Sequence, residues 1–148
     1  TEIRLATIQD VPVVQRLLNE LAAVLGKSDE IKLTEQDLER HGIGDHHRFE
    51  AMLALLGEEA VGLAVLFYEY STWRGSPGVY VQDLSGAGQQ RGTGRGRRLL
   101  RAVRERARAW GGRYVKLTVY DGNQAAISFY QHLGFELFDD EQVLVLRD

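Results

Sequence analysis

A mixed α/β or α+β domain, one sheet with helices packed on it, is the fold class this sequence predicts. Three observations predict it. Stretches with apolar residues at helical spacing take turns with stretches that alternate every second residue. Glycine, proline and capping residues punctuate the joins. The 148 residues suit one core, and no repeat, low-complexity tract or linker divides them, so a single domain over 1–148 is expected.

Residues 2–6 alternate and read as a first strand. Asp10 is placed to cap a helix whose first turn tolerates Pro12. Val11, Val14, Leu18, Leu21 and Leu25 then follow one helical face as far as Gly26. Thr34 with Asp37 makes a capping box for a second, short helix. Three strands come next. Phe49, Ala51, Leu53 and Leu55 alternate, Gly57-Glu58-Glu59 turns a hairpin, and residues 61–70 are apolar enough for a strand buried on both faces. Residues 73–78 read as a loop by their Gly and Pro, and 79–84 as the next strand. A glycine-rich turn leads into a helix from about 95 to 110, stopped by Gly111-Gly112. Residues 114–120 alternate again. Asn123 caps a fourth helix that runs through Leu133, and 135–138 with 142–147 read as a final pair of strands.

Composition excludes several chemistries. There is no cysteine, hence no disulfide, no thiolate metal site and no cysteine nucleophile; a reducing, cytoplasmic setting fits. No apolar run reaches the roughly 20 residues of a membrane span, and the polar first residues do not resemble a signal peptide. A net charge of -3 gives no general attraction to nucleic acid. Within that mild acidity, arginines crowd residues 91–108, which points to one anionic ligand at one place. His41, His46 and His47 share a loop with Asp45, but solvated histidines explain them and no metal is expected.

The most informative string is Arg91-Gly92-Thr93-Gly94-Arg95-Gly96-Arg97-Arg98-Leu99-Leu100. Between a strand and a helix, alternating glycines let the backbone approach a ligand, and the N–H groups of the helix start point at it. A phosphate or pyrophosphate suits that place, with Arg91, Arg95 and Arg97 adding charge-assisted hydrogen bonds. The string lacks the Gly-Lys-Ser/Thr of a P-loop and the spacing of a dinucleotide fingerprint. A plain turn before a solvated, arginine-rich helix has the same look. Further on, Asn123 and Tyr130 lie seven residues apart on one helix face with the small Ala126 between them. That makes a groove with a polar group at each end, or simply a half-buried core tyrosine.

Strand, Arg-x-x-Gly-x-Gly, helix, strand, then Asn…Tyr…Gly-Phe, over residues 79–138, resembles the GNAT superfamily of N-acetyltransferases. Leu33-Thr34-Glu35-Gln36-Asp37-Leu38, Tyr70-Ser71-Thr72-Trp73-Arg74-Gly75 and Tyr80-Val81-Gln82-Asp83-Leu84 resemble its diamine (spermidine/spermine and thialysine) acetyltransferase-like branch. The resemblance implies a mostly antiparallel central sheet flanked by about four helices. It implies acetyl-CoA as co-substrate, a small primary amine as acceptor, and a homodimer. Leu84, Ser85 and Gly86 are expected to offer backbone groups to pantetheine. Gly92, Thr93, Gly94, Arg95, Gly96 and Arg97, with Arg91, are expected to cradle the pyrophosphate, and Asn123 to contact the cofactor. Tyr130 matches the acid that protonates the departing thiolate. Asp83, with Trp73 and Gln82, falls at the amine pocket. Direct attack in a ternary complex needs no protein nucleophile, which suits a chain without cysteine.

The chain departs from that branch where it matters for the acceptor. Gln82 stands where the branch carries a glutamate, and Leu25, beside Val24, stands where the polyamine site has a further acid. A polycation needs several carboxylates, so a smaller, amino-acid-like amine is expected. Ser85-Gly86-Ala87-Gly88 is richer in glycine than the family's cofactor wall. These departures keep a second reading open, a degenerate relative that binds CoA without catalysis. A nucleic-acid-binding module is a third. Arg95, Arg98, Arg101, Arg104, Arg106 and Arg108 make a basic helix, but no aromatic platform interleaves them, and solvated helix surface explains them.

Overall fold

The computed structural model describes residues 2–43, 47–85 and 94–148. They form two compact units, Thr1–Thr118 and Val119–Asp148. In the first, strands β1 (Glu2–Leu5), β2 (Glu50–Leu56), β3 (Glu59–Ser71), β4 (Ser76–Ser85) and β5 (Val115–Leu117) lie side by side in chain order. The first three pairings are antiparallel and β4–β5 is parallel, so the sheet is mixed and mostly antiparallel. Its helices are α1 (Val11–Val24), α2 (Glu35–Asp37), which widens into a looser turn over Leu38–Gly42, and α3 (Arg95–Ala109).

The period of two in β2 and β3 sorts side chains onto the two faces. Ala51, Leu53, Leu55, Leu63 and Val65 meet Val11, Val14, Leu17 and Leu18 of α1 and Leu38. Met52, Ala54, Ala64 and Leu66, with Val79 and Val81 of β4, meet Leu99, Val103 and Ala107 of α3. Both faces of the sheet are therefore covered, and the strands read as apolar runs because both parities are buried. Leu53, Leu63, Leu66 and Leu99 lose all solvent contact; each such burial contributes about 1.5–3 kcal/mol. On α3 the exposed side holds Arg97, Arg98, Arg101 and Arg104. Arg106 is different: its guanidinium grips the Glu50 carboxylate at 2.7 and 3.0 Å and donates to Tyr68 Oη. That pins the far end of α3 to β2 and β3.

Thr34 and Asp37 form the expected capping box. Asp10 does not cap α1. Its carboxylate turns back instead, accepting from both Arg4 guanidinium nitrogens at 2.7 and 3.1 Å and from the Thr7 N–H at 2.7 Å. An opposite charge satisfies a carboxylate better than a helix end does. The Arg4 hydrogen bond, with help from Thr7, holds the Asp10 carboxyl down at about 2. A depressed folded-state value contributes stability above the unfolded value and loses it as pH falls towards the folded one. Asp10→Asn is expected to cost about 1–2 kcal/mol at pH 7, discounted because Arg4 is partly exposed. That difference from wild type shrinks to nothing between about pH 4 and pH 2. Urea unfolding of both proteins across that range measures it.

Two strand boundaries differ from expectation. Residues expected as a loop over 73–78 already pair at Ser76 and Pro77, with Ser71 and Tyr70, so only the turn ahead of Ser76 is left unpaired. The strand expected over 114–120 is paired only at Val115–Leu117, because only Val79, Tyr80 and Val81 face it.

In the second unit α4 (Gln124–His132) starts where Asn123 Oδ1 accepts the Ala126 N–H, and ends at Gly134 with φ 102°. Residues 135–138 and 142–147, expected as strands, form none. Their alternating pattern supplies the side chains of a strand, but a strand needs a ladder partner. The one regular element of this unit is a helix, and Leu144 and Leu146 stay 94% and 100% exposed.

Candidate active site

The chemistry-bearing end of the first unit is built by β4. In its ladder with β3, Phe67 faces Tyr80, Leu66 faces Val81 and Val65 faces Asp83, so Gln82 is an extra residue. Such a bulge leaves one residue outside the ladder and shifts everything after it. Without it, Asp83 would follow Val81 onto the α3 face. With it, Leu84 joins Val79 and Val81 there, and Asp83 falls on the α1 face with Tyr80 and Val65. Burial alone raises the Asp83 carboxyl above its ordinary value. A desolvated carboxylate of this kind favours a cation brought to it.

The bulge also lies where two strands part. β5 is registered against β4 only from Val79 to Val81, while β4 continues to Ser85 against β3 alone. Beyond Val81 the β5 side of β4 has no ladder partner among the described residues. Its amide and carbonyl groups there remain to be satisfied. At the end of the same stretch Ser85 is buried, and its hydroxyl has no hydrogen-bond partner among the described residues. Buried polar groups are rarely left so. The stretch is thus a row of main-chain groups that ends in an orphaned hydroxyl.

The third part is the start of α3. Gly94, at φ 71°, turns the chain into the helix, and no side chain caps it. The first N–H groups of a helix have no partner within it. No acid occupies the first turn. Arg95, Arg97 and Arg98 sit there instead, although cations oppose the helix dipole at that end. An anion at the helix start turns that disadvantage into attraction. Gly62 brings α3 up to β4: a Cβ there would press on Leu99 at 3.1 Å and reach the Ser85 carbonyl at 3.5 Å.

In the second unit Tyr130 packs edge-on against Phe129 and Phe135, with centroids 5.3 and 5.5 Å away. Burial raises its hydroxyl above the ordinary tyrosine value, which favours the protonated form. Asn123 spends its oxygen on the helix cap.

Among the expected site residues, Gln82, Asp83, Leu84 and Ser85 are gathered at the parting of the strands, and Gly94, Arg95, Gly96 and Arg97 at the start of α3. Gly86, Arg91, Gly92 and Thr93 lie outside the described residues, as do Asp45 and His46. Trp73 is not brought to Asp83 within the chain. It is fully exposed in the turn before β4, and Ser76 to Asp83 alone spans roughly 23 Å of strand. Leu25 and Val24, at the end of α1, are 42% and 60% exposed. Among the described residues, no group of three or more His, Cys, Asp or Glu could hold a metal ion, and no helix is long and apolar enough to cross a membrane. The bulge and Gly62 escaped the reading of the sequence, yet both leave marks. A lone glycine inside an apolar strand signals close approach, and the apolar alternation Val79, Val81, Leu84 slips by one at Gln82.

A parallel pair of strands thus opens beside an arginine-rich helix start. The profile of the Acetyltransferase (GNAT) family matches residues 14–135. The chain belongs to this family and is an N-acetyltransferase. It is similar to the thialysine N-epsilon-acetyltransferase of Mus musculus, 32% identical over 142 residues, covering 90% of this chain and 83% of that one. It is similar to the L-methionine sulfoximine/L-methionine sulfone acetyltransferase of Pseudomonas aeruginosa, 32% identical over 145 residues, covering 91% and 80%. Among solved structures, a mutant of the BH1408 protein from Bacillus halodurans matches with a TM-score of 0.76 at 26% identity, over 99% of each chain.

Proposed function

We propose that the protein transfers acetyl from acetyl-CoA to the amine of a small, amino-acid-like molecule, by direct attack in a ternary complex. The observation that carries this reading is the parting of β4 from β5 at the Gln82 bulge, with Asp83 turned towards α1. Acetyl-CoA supplies the acetyl group as a thioester. Main-chain groups of residues 82–85 hold its arm, and the start of α3 its pyrophosphate. A main-chain N–H freed at the bulge meets the oxygen as negative charge develops there. Asp83 holds the substrate ammonium, or orders the water that takes its proton, so that the neutral nitrogen attacks. A C–N bond forms, the C–S bond breaks, and the Tyr130 hydroxyl gives its proton to the leaving sulfur.

The acceptor class follows from charge. With Gln82 uncharged and Leu25 in place of an acid, one carboxylate is offered where a polycation needs several. Two of the similar proteins are named for thialysine and for methionine derivatives, and another as spermidine/spermine N(1)-acetyltransferase-like. The family match runs through both compact units, and we read them as one catalytic domain acting as a cytoplasmic homodimer.

A CoA-release screen of amines, amino acids and polyamines tests the reading. The highest kcat/KM is expected on a small amine. A tenfold preference for spermine over every smaller amine, about 1.4 kcal/mol of transition-state binding, overturns the acceptor class. Tight acetyl-CoA binding with no CoA released by any amine overturns the transfer.

A further inference from the structure

β5 holds its place beside β4 by very little backbone. The ladder covers three residues, Val115–Leu117. Two more main-chain bonds precede it, Arg113 N–H to the Pro77 carbonyl at 2.8 Å and Val79 N–H to the Tyr114 carbonyl at 3.1 Å. All lie on the side away from the opening, and parallel pairing is the weaker kind. Yet this strand forms one wall of the proposed acetyl-CoA slot, and its departure from β4 sets where the slot begins.

Side chains supply the rest. Tyr114 lies across β4 with its ring on Gly78, where any Cβ would run into the ring atoms. Its hydroxyl passes beyond β4 and donates to Glu69 Oε1 of β3 at 2.9 Å. Glu69 is the register partner of Gly78, so the tyrosine spans three strands along one line. Lys116 makes the same crossing two residues on, over Tyr80. Its Nζ stands 5.5 Å from the Tyr80 ring centroid and 3.0 Å from the same Glu69 oxygen. The Tyr80 and Thr118 hydroxyls, 3.0 Å apart, make the last link before the strands part.

We infer that Glu69 is a positioning residue of the transferase: it staples β5 to β3 across Gly78, and so fixes where the acetyl-CoA slot opens. This rests on the proposed function for the slot and on the structure alone for the staple.

Hydrogen exchange and steady-state kinetics on Glu69→Ala, Glu69→Gln and Gly78→Ala separate the two. Glu69→Ala is expected to speed exchange of the Val115, Lys116 and Leu117 amides at least tenfold while β2 and β3 keep their protection. KM for acetyl-CoA should rise about tenfold with kcat within twofold. Glu69→Gln should restore both, since an amide oxygen still accepts from Tyr114 and Lys116. Gly78→Ala should reproduce Glu69→Ala, because its backbone takes alanine and only the Tyr114 ring objects; it decides the matter if Glu69→Ala does not fold. Unchanged β5 exchange in Glu69→Ala and Gly78→Ala overturns the staple. Faster exchange with unchanged KM overturns its link to the slot. If the wild-type protein turns over no acetyl-CoA, the proposed function has failed, and the exchange measurements still judge the staple.

Discussion

Tyr130→Phe is expected to lower kcat by roughly 10²-fold or more, the usual loss for a positioned acid. The change removes one oxygen. The ring keeps its edge contacts with Phe129 and Phe135, so stability and CoA affinity should hold. Burial raises the Tyr130 hydroxyl, so the wild-type rate should not decline on this residue's account until the pH passes the ordinary tyrosine range. The phenylalanine variant should lose that alkaline limb. A stopped assay of CoA release from pH 6 to 11, beside calorimetry with CoA, reads both. Unchanged turnover in Tyr130→Phe, with activity abolished in Gln82→Ala, would overturn this assignment of roles.

The second large effect is expected at Gly94. A Cβ there meets no neighbouring atom within 4 Å among the described residues, so the cost of a valine is argued from the backbone, at φ 71°. A β-branched residue resists that conformation by about 1–2 kcal/mol or more. The turn into α3 should relax and carry the helix N–H groups off the pyrophosphate. CoA affinity should fall tenfold or more, with the unfolding midpoint changed far less. Gly94→Asn, which tolerates the left-handed region, should lose much less. Equal affinity in wild type and Gly94→Val would place the anion elsewhere.

What the sequence revealed and what it hid divide along one physical line. Local rules made the capping box of Thr34 and Asp37, the stop at Gly134 and the apolar stripe of α3 legible, because each depends on residues within a few positions. The same holds for the helix start at Gly94 and the Asn123 cap. Asp10 misled because its better partner, Arg4, lies on another element. Residues 142–147 misled because alternation says what a strand would bury, not whether a neighbour exists. Asp83 and Gln82 were legible as residues, by resemblance, but not their directions: the face each takes is decided by a shift in the β3–β4 ladder. The work of Glu69 was invisible, since its partners Tyr114 and Lys116 are 45 and 47 positions away and meet it only across a folded sheet.

The extra residue in β4 gives this strand something like a reading frame. Losing one residue between Val79 and Asp83 would make the ladder regular and leave Asp83 opposite Val65, with Leu84 still on the α3 side. Losing two would send the carboxylate to the α3 side among Leu99 and Val103 and bring Leu84 round to the amine. Lineages descended from this chain should therefore change the length of this strand by one residue more readily than by two. A library of one- and two-codon deletions across it, read by KM for the amine, should show the larger loss in the double deletions.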